Sequence, residues 1–138
     1  MATRIGVDTN VVLSVLVDRN AEQQARAAEL FAAAAAGDLR IVLHQVAINE
    51  SVHVMENVYE VKPVAVAAIL RDLLALPGVV TIDELDWPTV LSLWPRRITD
   101  FGDACLAAVA KSDAFDALAT FDAGFRKQLR RQGLATHW

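Results

Sequence analysis

Four short apolar runs, at positions 4–7, 40–44, 79–82 and 117–120, are separated by longer stretches of helical character. Strands joined through a crossover helix return to the same edge of a sheet and pair in parallel. Parallel sheets bury both faces under the connecting helices. The alternation therefore predicts an α/β fold, with a parallel sheet of about four or five strands and helices on both faces. The segment 134–137 supplies the optional last strand.

Local punctuation marks the helices. One over 11–17 follows the turn Asp8-Thr9-Asn10, and an Ala-rich one over 21–36 stops at Gly37-Asp38. A helix over about 46–59 precedes another over 63–76, which Pro63 opens and Pro77-Gly78 ends. Asp86-Trp87-Pro88 opens a short helix reaching 94, closed by Pro95, and helices over 103–111 and 124–132 flank the fourth strand. No repeat, linker or low-complexity tail interrupts the pattern, so residues 1–138 read as a single domain.

Hydrophobic residues make up 54% of the chain, enough for a sizeable core, yet no apolar run approaches the roughly 18 residues that span a bilayer. Met1-Ala2-Thr3-Arg4 leads directly into a strand without the apolar region of a signal peptide. The single cysteine, Cys105, excludes an intrachain disulfide and a cysteine zinc cluster, and reads as a small core residue. These features point to the cytoplasm and away from a membrane. A net charge of −4 excludes a protein that grips nucleic acid over its whole surface. Locally, Arg96-Arg97 and the cluster Arg126, Lys127, Arg130, Arg131 can meet phosphates, or form solvated faces.

Acidic residues recur where the predicted elements meet. Asp8 follows Ile5-Gly6-Val7, and Asp122 follows Ala117-Leu118-Ala119-Thr120-Phe121, both at the carboxyl ends of strands where open parallel sheets bind ligands. Glu50 is placed by helical phase. It lies about 60° from Ala47, at the border of the apolar face, whereas Glu56 and Glu60 fall in the polar arc. Asp103 opens an Ala-rich helix, with Asp100 three residues earlier. Each acid alone also fits a helix cap, a turn or a boundary position. Gathered in one cleft they repel one another, and a hard divalent cation relieves that repulsion, so the set suggests a Mg²⁺ or Mn²⁺ site.

With these acids located, the chain resembles the PIN-domain nucleases, especially the VapC-type toxins of bacterial toxin–antitoxin pairs, over essentially its whole length. The matching segments are Val7-Asp8-Thr9-Asn10, Ile48-Asn49-Glu50, Asp100-Phe101-Gly102-Asp103-Ala104 and Thr120-Phe121-Asp122, followed by Phe125. The resemblance implies a sheet whose carboxyl edge gathers Asp8, Glu50, Asp103 and Asp122 as catalytic metal ligands around one or two Mg²⁺ or Mn²⁺ ions. Asp100 is a further candidate ligand. Thr9, Asn10, Asp100 and Thr120 are similar to residues that orient carboxylates or phosphate. The implied activity is metal-dependent endoribonuclease hydrolysis of RNA phosphodiesters. Implied partners are the RNA, a small antitoxin and a second copy of the chain, with the region of Leu13, Leu16, Leu30 and Phe31 as a candidate docking surface. Arg96, Arg97, Arg126 and Lys127 are the candidate RNA contacts.

Other readings compete with this one. A housekeeping RNA-processing nuclease of the same fold shares every motif. A receiver-like phospho-acceptor domain needs paired acids and a Lys after a late strand, whereas Lys111 falls on a helix before the fourth strand. Metal-free imidazole catalysis would draw on His44, His53 and His137, which are scattered without a supporting motif. Trp87, Trp94 and Trp138 are able to stack bases, with helix packing the expected role of the first two.

Overall fold

The computed structural model describes residues 2–138; Met1, placed ahead of the first strand by the sequence pattern, lies outside the described residues. The order of elements is β1 (Thr3–Val7), α1 (Thr9–Leu16), α2 (Ala21–Ala35), β2 (Leu39–His44), α3 (Gln45–Asn57), α4 (Pro63–Leu74), β3 (Val79–Ile82), α5 (Trp87–Leu93), α6 (Phe101–Lys111), β4 (Ala117–Ala119) and α7 (Ala123–Arg131). The four strands form one sheet in the order β3-β2-β1-β4, and every pairing is parallel. The chain winds outward from β1 through β2 to β3, then returns to place β4 on the other flank of β1. The direction of winding reverses between β1 and β4.

Side chains alternate across the strands and divide the core in two. Ile5, Val7, Ile41, Leu43 and Ala119 bury against α1, α2 and Leu73 of α4. Val42 and Leu118 face the opposite side, under Val90 and Leu93 of α5, the Ala-rich α6, and Phe125 and Leu129 of α7. Helices thus cover both faces, as the strand–helix alternation requires. Helix α3 packs against α1, α4 and α6, linking the two layers. Leu13, Leu30 and Phe31 are buried, so most of the expected docking region belongs to the core.

Two helices start two residues earlier than their sequence patterns suggest. The Asp8 carboxylate accepts a hydrogen bond from the Val11 N–H (3.2 Å), so α1 begins at Thr9. Asp100, not Asp103, caps α6, accepting from the Asp103 N–H at 2.9 Å. The segment 134–137 forms no strand. It makes one isolated bridge, Thr136 to Leu118, because β4 has only three residues to offer. Trp87 and Trp94 also depart from expectation: α5 turns Val90 and Leu93 into the core, leaving the two tryptophans 52% and 37% exposed.

Gly6 shows how tightly the second layer meets the sheet. A Cβ there would lie 2.6 Å from carbons of the buried Phe115 ring. Gly6→Ala is expected to lower unfolding free energy in urea by about 1–3 kcal/mol, the usual cost of overpacking. Phe115→Leu in the same chain is expected to recover part of it. A neutral Gly6→Ala would contradict this packing.

Candidate active site

In an open parallel sheet the ligand crevice lies outside the strand carboxyl ends, where the winding reverses. Asp8 and Thr120 occupy that point on β1 and β4. The Asp8 N–H donates to the Ala119 carbonyl (3.2 Å), continuing the ladder one residue past the strands. The buried Thr120 hydroxyl donates to Oδ2 of Asp8, while Oδ1 is held by the Val11 N–H. Oγ1 of Thr120 also accepts the Asp122 N–H (3.1 Å), so one hydroxyl links two acids. Asp122 caps α7, accepting from the Phe125 N–H at 3.0 Å. Arg126 braces this turn by donating to the Thr120 carbonyl (2.9 Å), which engages the guanidinium of an expected RNA contact inside the protein.

Glu50 arrives from α3, on the border its helical phase predicts. Thr9 Oγ1 donates to Oε2 at 2.7 Å. The other oxygen lies over Gly102, in space that a Cβ at that position would occupy. The same Cβ would lie 3.3 Å from Oδ1 of Asp100. Gly102 is therefore a glycine because Glu50 and the first turn of α6 approach so closely, a requirement that the sequence marks only by its place between two acids.

Three of the acids, Asp8, Asp100 and Asp122, are helix N-caps. The cap role that each could have played alone is real, and it coexists with convergence. Three helix N-termini open on one edge, and their partial positive charge offsets part of the carboxylate repulsion. The remainder shows in the protonation equilibria. Burial pushes Asp8 up to about 6, outweighing the hydrogen bonds from Thr120 and from the Val11 and Asn10 N–H groups. Burial, then the charges of Asp100, Asp8, Asp122 and Glu50, push Asp103 up to about 8, with no hydrogen bond to offset them. Asp103 thus senses all four other acids.

The remaining candidates divide. Asn10 helps Asp8 through its backbone, while its side chain accepts from Arg19 at 3.3 Å, a partner with no sequence signal. Arg96, Arg97 and Lys127 are exposed. Both ring nitrogens of His44 are engaged, Nδ1 by the Val46 N–H and Nε2 by the Glu84 carbonyl. His53 and His137 are exposed, so no imidazole pair is assembled. Cys105 is buried, and burial followed by the charges of Glu50 and Asp100 raises its thiol, the opposite of a poised nucleophile. Trp138 stacks on Phe121 (4.7 Å between centroids) with Arg26 over its ring, an internal use of that aromatic.

Among the described residues no three His, Cys, Asp or Glu side chains form a ready-made metal cage. The donor chemistry nonetheless fits a hard cation of the Mg²⁺ type. Such an ion keeps several waters and takes one or two carboxylates plus substrate phosphate, so it needs no all-protein cage. The acids supply oxygen donors only, and Asp103 carries an unrelieved electrostatic cost that a cation would remove.

That cost sets a pH dependence for the metal-free protein. Asp103 titrates about 8 in the folded state against an ordinary 3.8, so the folded chain binds more protons between those values. Its contribution is fully present below the lower value and is lost as pH rises through the upper one. Asp103→Asn cannot ionise, and is expected to melt higher than wild type at pH 8.5 in EDTA, with the gap closing towards pH 4. An equal or lower melting temperature at pH 8.5 would contradict the electrostatic account.

The comparisons with known proteins bear on the family and the fold. The family model for the PIN domain matches residues 5–128. No curated protein matches the chain by sequence. Among solved structures, Mycobacterium tuberculosis VapC20, described as a sarcin–ricin loop cleaving toxin, superposes with a TM-score of 0.66 at 17% identity, covering 89% of this chain and 93% of its own. PAE2754 from Pyrobaculum aerophilum superposes with a TM-score of 0.63 at 20% identity, covering 93% of this chain and 81% of its own. The family match over most of the chain identifies it as a member of the PIN-domain family of nucleases.

Proposed function

We propose that this chain is a Mg²⁺- or Mn²⁺-dependent endoribonuclease and the toxin of a type II toxin–antitoxin pair, acting in the cytoplasm as a homodimer restrained by a small antitoxin. The observation that carries the reading is the convergence of Asp8, Glu50, Asp100, Asp103 and Asp122 on the sheet edge, where Asp103 feels the charge of the other four. The toxin assignment draws on the shared fold with VapC20. The family match leaves the receiver-like alternative without support.

A bound divalent ion supplies an acidified water and positive charge against the phosphodiester. Asp8 would be the central residue holding such an ion, its carboxylate oxygens oriented by the Thr120 hydroxyl and the Val11 N–H. Glu50, tethered by Thr9, would orient the attacking water with the oxygen that lies over Gly102. Asp103 and Asp122 would complete the set of residues that hold the ion, and Asp100 holds the first turn of α6 in place. The water oxygen bonds to phosphorus as the P–O3′ bond breaks, and the water's proton ends on the 3′ oxygen. No side chain bonds to the substrate.

Cleavage of structured RNAs in Mg²⁺, Mn²⁺ or EDTA tests the chemistry. Asp8→Asn is expected to reduce the rate by at least about 100-fold, the scale for losing a group that stabilises transition-state charge. Thr120→Val, which frees the Asp8 carboxylate and the Asp122 N–H from their shared hydroxyl, is expected to cost roughly 10–100-fold. Cleavage that survives both EDTA and Asp8→Asn overturns the metal mechanism. Expression of the wild-type chain alone is expected to arrest growth; an active enzyme with harmless expression is instead a housekeeping nuclease.

A further inference from the structure

Beside the acids, three large aromatic side chains stand partly in water: Trp87, Trp94 and Phe101 are 52%, 37% and 41% exposed. Phe101 is the first residue of α6, between the cap Asp100 and Gly102, over which Glu50 lies. Its ring lies nearly parallel to Trp87, with centroids 6.2 Å apart and planes at 23°. Trp94 meets the same ring edge-on, at 5.1 Å and 79°. The Trp94 indole N–H donates to the Thr99 carbonyl (3.2 Å), fixing the loop 95–100 beside the rings. That loop presents Arg96 and Arg97, both exposed. Among the described residues neither makes an ion pair; the pairs found there join Arg4 to Asp113 and Asp116.

An apolar patch of this kind marks a contact surface, and its neighbours decide the occupant. Aromatic faces accept unstacked bases, and arginines accept the phosphates between them. An intact duplex offers the rings nothing, because its bases are already stacked on one another. We propose that Trp87, Trp94 and Phe101, together with Arg96 and Arg97, form a platform that holds an unpaired base of the RNA next to the acidic edge. This deepens the nuclease reading above and rests on it for the position of the scissile phosphate. The platform binds and positions, so its loss raises KM and leaves kcat largely intact.

Equilibrium binding of a fluorescent single-stranded RNA oligonucleotide to the full chain in EDTA, beside cleavage in Mg²⁺, tests the platform. Trp87→Leu and Phe101→Leu keep an apolar side chain at each position and remove the stacking face. Each is expected to weaken binding on the order of tenfold at an unchanged melting temperature. Phe101→Tyr is expected to bind like wild type, and Arg96→Ala to reduce the salt slope by about one. A duplex of the same sequence is expected to bind weakly and to ignore the Leu substitutions. If the Leu variants lose oligonucleotide binding while nothing cleaves RNA, the platform stands and the nuclease reading falls. If wild type cleaves and the Leu variants bind and cleave equally well, the platform falls alone. A loss of dimer in sedimentation with unchanged RNA affinity makes the patch a protein interface and overturns the proposal.

Discussion

Parallel pairing of β1 with β4, on the flank of β1 away from β2, is the constraint on which the rest of the structure depends. Parallel strands leave the sheet at a common edge, so whatever follows β1 and β4 in sequence meets there. Asp8 follows the first and Thr120 the second, and the hydroxyl-to-carboxylate bond between them crosses the reversal point. From that bond the assembly spreads outward. Thr120 holds Asp122, Asp8 caps the helix that carries Thr9, and Thr9 reaches Glu50. The opposite edge is chemically unlike it, carrying Arg4 and Arg40 with Asp116, which pairs with Arg4.

An edge lined with carboxylates is a poor place to stabilise a fold by itself. Helix N-termini and hydrogen bonds offset part of the repulsion, but Asp103 has none of the latter. On the proposed function, stability is given up at one location to leave a group ready for positive charge, the usual relation between a functional site and the fold that carries it. The surrounding order supports that location. Gly102 lets Glu50 press against α6, Arg126 fixes the turn after β4, and the buried Thr120 bonds both Asp8 and Asp122. Loss of any of these would leave the acids present and their geometry loose.

Much of the architecture was legible in the strand–helix alternation, and the third strand has the bounds its apolar run suggests. Helix starts were harder to read. Asp-Thr-Asn reads as a turn until Asp8 is seen capping Val11, and Asp103 opens its helix until Asp100 is seen capping it. The run 134–137 has strand character, but strand formation needs a partner, and three residues of β4 leave room for one bridge. Helical phase brought Glu50 to the border of its face. Its contact with Gly102 spans two helices distant in sequence, and periodicity within one helix carries no information about that. The same limit hid the aromatic cluster: a seven-residue helix has too few turns to say which side its tryptophans take.

The central claim is that the clustered acids are a cation site anchored on Asp8. Thermal unfolding of wild type and Asp8→Asn, each with and without millimolar Mn²⁺ and with no RNA present, tests it most directly. A ligand that binds only the folded state raises its melting temperature. Wild type is predicted to melt higher in Mn²⁺, and Asp8→Asn to show little or no shift. An equal shift in both proteins, or none in wild type, would contradict the account.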